Sequence, residues 1–277
     1  MLNTKDITNF ITNKPKNYYI FDIKYNKKEQ KCIDDFNINI IKNFSFFGNI
    51  TNLIDQNNLE IFLTEIGQCN MSCLKGMQSS ASETDSNLNT NENITIIKEI
   101  IYKLIKKIIK SFMTDYFWIS IRINLPNNEF KIRRWHYDGI FFINNKNALQ
   151  AKFVTVLKGP GTIFLKNEKA TEIYNKLETY IRNKNKEKLI DKNTDIKTII
   201  EIEKKYRPLY EKALKVIKEY QLKNNQGLIF ITNSGNSDLV KHPFIHSEPN
   251  IDKPRFFISI LPGSQEDIEA LKLRWKK

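Results

Sequence analysis

Phe117-Trp-Ile-Ser-Ile-Arg-Ile-Asn-Leu125, the turn-like Pro126-Asn-Asn-Glu129 and Phe130-Lys-Ile-Arg-Arg-Trp-His-Tyr-Asp138 decide how this chain is read. In the first run every odd position is apolar, and the even ones are Trp118, Ser120, Arg122 and Asn124. A period of two marks a half-buried strand. The second run reads as another strand, with Arg134, His136 and Asp138 sharing one face and Trp135 and Tyr137 the other. Short strand-like runs recur at 18–25, 151–157, 162–165, 227–232 and 255–260. Closely spaced short strands point to a β-sandwich or a jelly-roll barrel.

Helical patterns surround these runs. Ile97, Ile100, Ile101, Leu104, Ile105, Ile108, Ile109 and Phe112 recur at helical spacing, with Lys98, Lys106, Lys107 and Lys110 off the stripe. A helix packed on a sheet with its lysines solvated is the favoured reading, ahead of a basic helix lying on a membrane surface. Residues 59–66 fit a helix, and Gln265–Trp275 fits a terminal one after Gly263 ends the barrel. The charged, helix-period stretch 168–224 reads as an insertion between barrel strands, with Pro208 expected to break its second helix. The polar segment 79–95 reads as a flexible loop, and 233–238 as another. The division is therefore a mixed N-terminal extension at 1–78 packing on the core, the loop at 79–95, and a barrel domain at 96–277.

The chain holds three histidines. His136 and Asp138 form an H-x-D pair, and His246 opens His246-Ser-Glu-Pro249 ahead of Arg255. Two imidazoles and one carboxylate suit a mononuclear non-haem iron site with open coordination positions. His242 is an alternative to His246, or a loop residue beside it. Cys69-Asn-Met-Ser-Cys73 with His242 and His246 also resembles a Cys2His2 zinc set on paper. Pro243 opposes the helix that would present H-x3-H, and that set leaves the H-x-D unexplained.

The ordered set of H-x-D, distant His and Arg on the following strand resembles the iron(II)/2-oxoglutarate-dependent oxygenases, over residues 115–165 and 225–263. The resemblance implies an α+β chain with a double-stranded β-helix (jelly-roll) core, supporting helices and a helical insertion. It implies an enzyme, a 2-oxoglutarate-dependent dioxygenase that hydroxylates or demethylates a substrate the sequence does not name. His136, Asp138 and His246 would be its catalytic Fe(II) ligands, and 2-oxoglutarate its cosubstrate. Arg255 would anchor the far carboxylate. Many members place a Ser two residues after that Arg; position 257 is Phe here, and Ser259 is the nearest Ser on that face. Arg134 shares a face with His136 and Asp138, as a cosubstrate or substrate contact or as a structural ion-pair partner. No second Arg follows Arg255 at the short spacing of the nucleic-acid-demethylating branch.

Composition bounds the partners. A hydrophobic content of 40% and aromatic content of 12% describe a globular chain. The net charge is +13, which fits a polyanionic partner such as nucleic acid. Lys, Asn and Ile are abundant together, as an A/T-rich coding background yields, so background composition is weighed ahead of a nucleic-acid surface. No secretory signal or membrane span is read, and three cysteines, Cys32, Cys69 and Cys73, suggest a reducing, intracellular setting. The substrate class stays open among protein side chain, nucleic acid and small molecule. The competing reading is a non-catalytic barrel with a binding or structural role.

Overall fold

The computed structural model describes residues 4–13, 17–67, 91–145, 149–166, 168–185, 196–232 and 244–275. The alternating runs form an antiparallel sheet from β1 (Tyr18–Asp22), β2 (Lys42–Asn49), β3 (Tyr116–Asn124), β4 (Ala151–Lys158), β7 (Gln226–Ile231) and β9 (Arg255–Gly263). Its order is β1-β7-β4-β9-β3-β2. A smaller antiparallel sheet joins β5 (Ile163–Leu165) to β6 (Glu219–Gln221) on one side and β8 (His246–Ser247) on the other.

Side-chain alternation sorts the large sheet into two faces. Phe117, Ile119, Ile121 and Ile123 of β3 and Phe256, Ile258 and Ile260 of β9 belong to the main core. That core also takes the apolar stripe of α5 (Asn91–Ser111), where Ile97, Ile100, Ile101, Leu104, Ile105 and Ile108 are buried. The stripe read from sequence therefore covers the sheet, as favoured over a membrane surface. Helices α1 (Thr4–Asn13), α2 (Lys27–Asp35), α3 (Ile50–Asp55) and α4 (Asn58–Gly67) add Phe10, Ile33, Leu53 and Leu63 to the same core. On the opposite face Val154, Leu228, Phe230 and Phe257 meet Phe164 of the small sheet. Among the described residues no helix is long and apolar enough to cross a membrane.

The stretch 168–224 contains α6 (Glu168–Lys184) and α7 (Ile196–Leu214), packed with Trp135 through Tyr174, Tyr210 and Leu214. Two expectations fail there. Pro208 lies inside α7 and does not end it. The missing N–H costs one hydrogen bond, and the turns on either side are pinned. Tyr206, Tyr210 and Leu214 are buried, and Arg207 holds Glu203 at 2.7 Å and the Glu129 carbonyl at 2.9 Å. The stretch also closes with β6, a strand paired to β5, in place of further helix. The terminal helix α8 (Gln265–Trp275) is capped by Ser264, which accepts from the Asp267 N–H at 3.1 Å.

A third correction concerns 130–138, which is not a ladder strand. Its one bridge joins His136 to His246. Arg133 binds Glu211 at 2.7 Å and Glu219 at 2.9 Å, and the Trp135 indole donates to Glu211 at 3.1 Å. Side-chain bonds to the insertion thus hold the segment in place where it has no ladder. The alternation survives without the ladder. Trp135 and Tyr137 pack toward the insertion, while Arg134, His136 and Asp138 line a cavity against the large sheet.

Candidate metal centre

His136 and His246 exchange both backbone hydrogen bonds at 2.9 Å, which sets their rings side by side with centroids 4.3 Å apart. Each ring is then fixed by its own chain. His136 Nδ1 lies 2.8 Å from the Arg134 carbonyl, and His246 Nδ1 lies 3.1 Å from the Phe244 carbonyl. A carbonyl only accepts, so Nδ1 carries a proton in both rings and Nε2 is the atom left to face the cavity. Asp138 Oδ1 lies 3.8 Å from His246 Nε2. One ligand atom from each of His136, Asp138 and His246 falls within 4.8 Å of the others, a spacing able to hold a metal ion. Two imidazole nitrogens and one carboxylate fit a divalent first-row ion, with coordination positions to spare.

The electrostatics suit that set. Burial, then the neighbouring His136, pushes His246 down to about 3, so its ring is neutral at pH 7. Burial alone would raise the Asp138 carboxyl, but Lys152, and after it the two imidazoles, holds it well below the usual carboxylate range. Lys152 Nζ reaches Asp138 Oδ2 at 2.9 Å. One carboxylate oxygen is therefore occupied by an ammonium while the other faces the imidazoles.

The cavity, about 270 Å3, extends from these ligands along β3 and β9. Arg255 begins β9, is 2% exposed, and donates from Nε to the Pro160 carbonyl at 2.9 Å. The Gly159-Pro160-Gly161 link makes that contact. A Cβ on Gly159, at φ +91°, would meet the Pro254 oxygen at 2.3 Å, and one on Gly161 would meet the Leu222 oxygen at 1.9 Å. The Arg122 and Arg255 guanidinium carbons each lie 4.6 Å from the centroid of the Phe257 ring. Burial, then Arg122, pushes Arg255 down to about 9, as expected of a dry guanidinium beside a second cation. Ser259 also lines the cavity, opposite Ser120 in the β3–β9 register.

Arg134 is committed elsewhere. It grips Glu248 with Nε at 3.2 Å and Nη2 at 2.6 Å, and Glu248 also lies 3.6 Å from Arg122. Burial would raise Glu248, but His136 and Arg134 hold it far below the usual range. The geometry favours the ion-pair alternative for Arg134.

The folded chain thus gathers His136, Asp138, His246, Arg255, Ser259 and Arg134 around one cavity. Sequence reasoning missed Glu248, Arg122 and Lys152 as part of the site. Each left a trace: Glu248 is two residues past His246, Arg122 sits on the polar face of β3, and Lys152 is the one charge inside the apolar run 151–157. His242, Cys69, Cys73, residues 79–90 of the polar loop and the loop 233–238 lie outside the described residues, while residues 91–95, read as the end of that loop, form the first turn of α5. Cys32 is buried, its thiol donating to the Asn93 carbonyl.

No protein-family model and no curated protein matches the chain. Solved structures similar to it include a prolyl-4-hydroxylase from Pseudomonas putida, at 6% identity and a TM-score of 0.38, over 95% of this chain and 99% of that one. The viral collagen prolyl hydroxylase of Paramecium Bursaria Chlorella virus-1, in complex with 2-oxoglutarate, is similar at 10% identity and a TM-score of 0.34, over 90% and 98%. The Arabidopsis thaliana dioxygenase for auxin oxidation, also bound to 2-oxoglutarate, is similar at 7% identity and a TM-score of 0.38, over 95% and 89%. With TM-scores at this level, the functional reading rests on the site's own residues.

Proposed function

We propose that the chain is an iron(II)- and 2-oxoglutarate-dependent oxygenase, built on a double-stranded β-helix. The observation that carries the reading is the convergence of His136, Asp138 and His246, with both imidazoles fixed as Nε2 donors, in a cavity that also presents a buried Arg255. His136, Asp138 and His246 would hold the iron. Arg255, with Ser259 on the same strand face, would bind the far carboxylate of 2-oxoglutarate through paired N–H donors. Bound iron and cosubstrate supply the oxidative chemistry; the protein's part is ligation, orientation and shielding. Lys152 occupies Asp138 Oδ2, which favours ligation through Oδ1 alone and keeps positions open for other ligands. Arg134 and Glu248 brace the segment that carries His136.

Anaerobic titration with ferrous iron and 2-oxoglutarate tests this. A visible charge-transfer band in the wild type that is lost in His136→Ala supports it. Absence of the band, with zinc or no metal retained, would overturn the reading in favour of a binding or structural role.

A further inference from the structure

The end of the cavity beyond Lys152 is aromatic. Lys152 Nζ, on Asp138, also lies 5.4 Å from the centroid of the Phe141 ring, so Phe141 is one side chain away from a candidate iron ligand. Phe141 meets Trp118 at 5.8 Å, and Trp118 meets Trp275 at 5.2 Å; all three rings line the cavity. The wall is rigidly supported. The Trp118 indole N–H donates to Ser45 Oγ at 2.8 Å and the ring stacks on Phe47 at 5.4 Å. The Phe141 carbonyl accepts from Arg274 at 2.8 Å. Ile268 and Leu271 bury α8 beneath Trp275. Yet Trp275 itself is 58% exposed. A large aromatic ring that lines a cavity and keeps much of its surface open to solvent can stack on a planar ligand.

Charge narrows the partner. The described lining carries four cations, Arg122, Arg134, Lys152 and Arg255, against two carboxylates, Asp138 and Glu248. A divalent metal and a dianionic cosubstrate cancel, so the positive surplus remains for whatever enters next. We propose that Trp118, Phe141 and Trp275 form the primary-substrate subsite, and that it takes a small planar aromatic anion, stacked on the Trp275 side with its charge toward Lys152. This rests on the oxygenase reading for the order of binding, though the subsite itself is built from residues outside the proposed ligand set.

The test is ligand-observed saturation-transfer NMR and calorimetry on the full chain with saturating 2-oxoglutarate and zinc as a redox-inert metal. The probes are 2-naphthoate, cyclohexanecarboxylate (anionic, not planar) and 2-naphthamide (planar, not anionic). The expected order places 2-naphthoate roughly tenfold tighter than either control, and Trp275→Ala weakens it roughly tenfold. Equal binding of the three probes, no binding of any, or full affinity in Trp275→Ala overturns the proposal. So does displacement of 2-naphthoate by 2-oxoglutarate, which would place it at Arg255. The ferrous charge-transfer band, recorded on the wild type and Trp275→Ala, separates the two ideas. A band with no naphthoate binding rejects the subsite alone, and naphthoate binding with no band rejects the oxygenase reading alone.

Discussion

At the scale of single residues, the centre depends on which atoms are already spoken for. Both Nδ1 positions are used by carbonyls and one Asp138 oxygen by Lys152, so two Nε2 atoms and one carboxylate oxygen are left close together. That arrangement stores pH sensitivity. An unfolded chain protonates His246 near pH 6.5, whereas the folded metal-free chain does so only at about 3. The folded state is thus fully favoured above pH 6.5 and loses stability as pH falls from there toward 3, by up to about 1.4 kcal/mol per pH unit. Urea midpoints of the metal-free protein should fall between pH 6.5 and 5, and His246→Asn should flatten that slope; an unchanged slope would mean the imidazole is not held neutral. Glu248 makes the complementary case. It is the shared anion of Arg134 and Arg122. Glu248→Gln leaves two guanidinium groups facing each other, and a loss of about 2 kcal/mol is expected in urea unfolding, less than for a fully buried pair because both arginines keep some water. A variant as stable as the wild type would show that the network contributes only position.

At the scale of elements, what could be read in advance follows from what each element buries. β3, β9 and α5 bury continuous apolar rows, so their periods stand out in the sequence. β2 buries only Phe46 fully, as an edge strand does, and its pattern carries no clean alternation. The segment 130–138 alternates as a strand does, but its second face meets the insertion helices and not a sheet neighbour. Periodicity reports which side a residue faces, not what lies there. For the same reason His136, Asp138, His246 and Arg255 were legible as a set, while Arg122 and Lys152 join it through register between distant strands and Glu248 through its ion pairs with Arg134 and Arg122. The β4–β5 link shows register at work, because Gly159 and Gly161 let Pro160 reach Arg255. Gly161→Ala should cost about 2–4 kcal/mol, since its Cβ meets backbone and not a yielding side chain. Gly139→Ala, beside Asp138 but with nothing within 4 Å of its Cβ, should stay within about 0.5 kcal/mol. Thermal denaturation of the two variants side by side checks the contrast; equal melting temperatures would contradict the close approach at Gly161.

At the scale of the whole molecule, the N-terminal third decides whether the other strands of the large sheet can stand alone. The sequence reading made residues 1–78 an extension packing on the core; in the structure β1 pairs with β7 and β2 with β3, so that region also supplies both edges of the large sheet. Ile7, Phe10, Ile33, Phe36, Leu53, Leu63 and Ile66 fill the core beneath α5 together with residues of β3 and β9. A chain beginning at residue 96 would therefore present β7 and β3 as bare edges and uncover the apolar underside of α5. Unpaired, largely buried strands are templates for association with other copies. The fragment 96–277 is expected to elute from size-exclusion chromatography as large aggregates, or to require the segment 1–67 added in trans to remain in solution. His136, Asp138 and His246 are all present in that fragment, so ligand identity is not what it lacks. A monomeric 96–277 that binds ferrous iron as the full chain does would show that 1–78 is separable from the rest of the fold. Aggregation rescued by 1–67 would show instead that the large sheet and its core are completed from both ends of the chain.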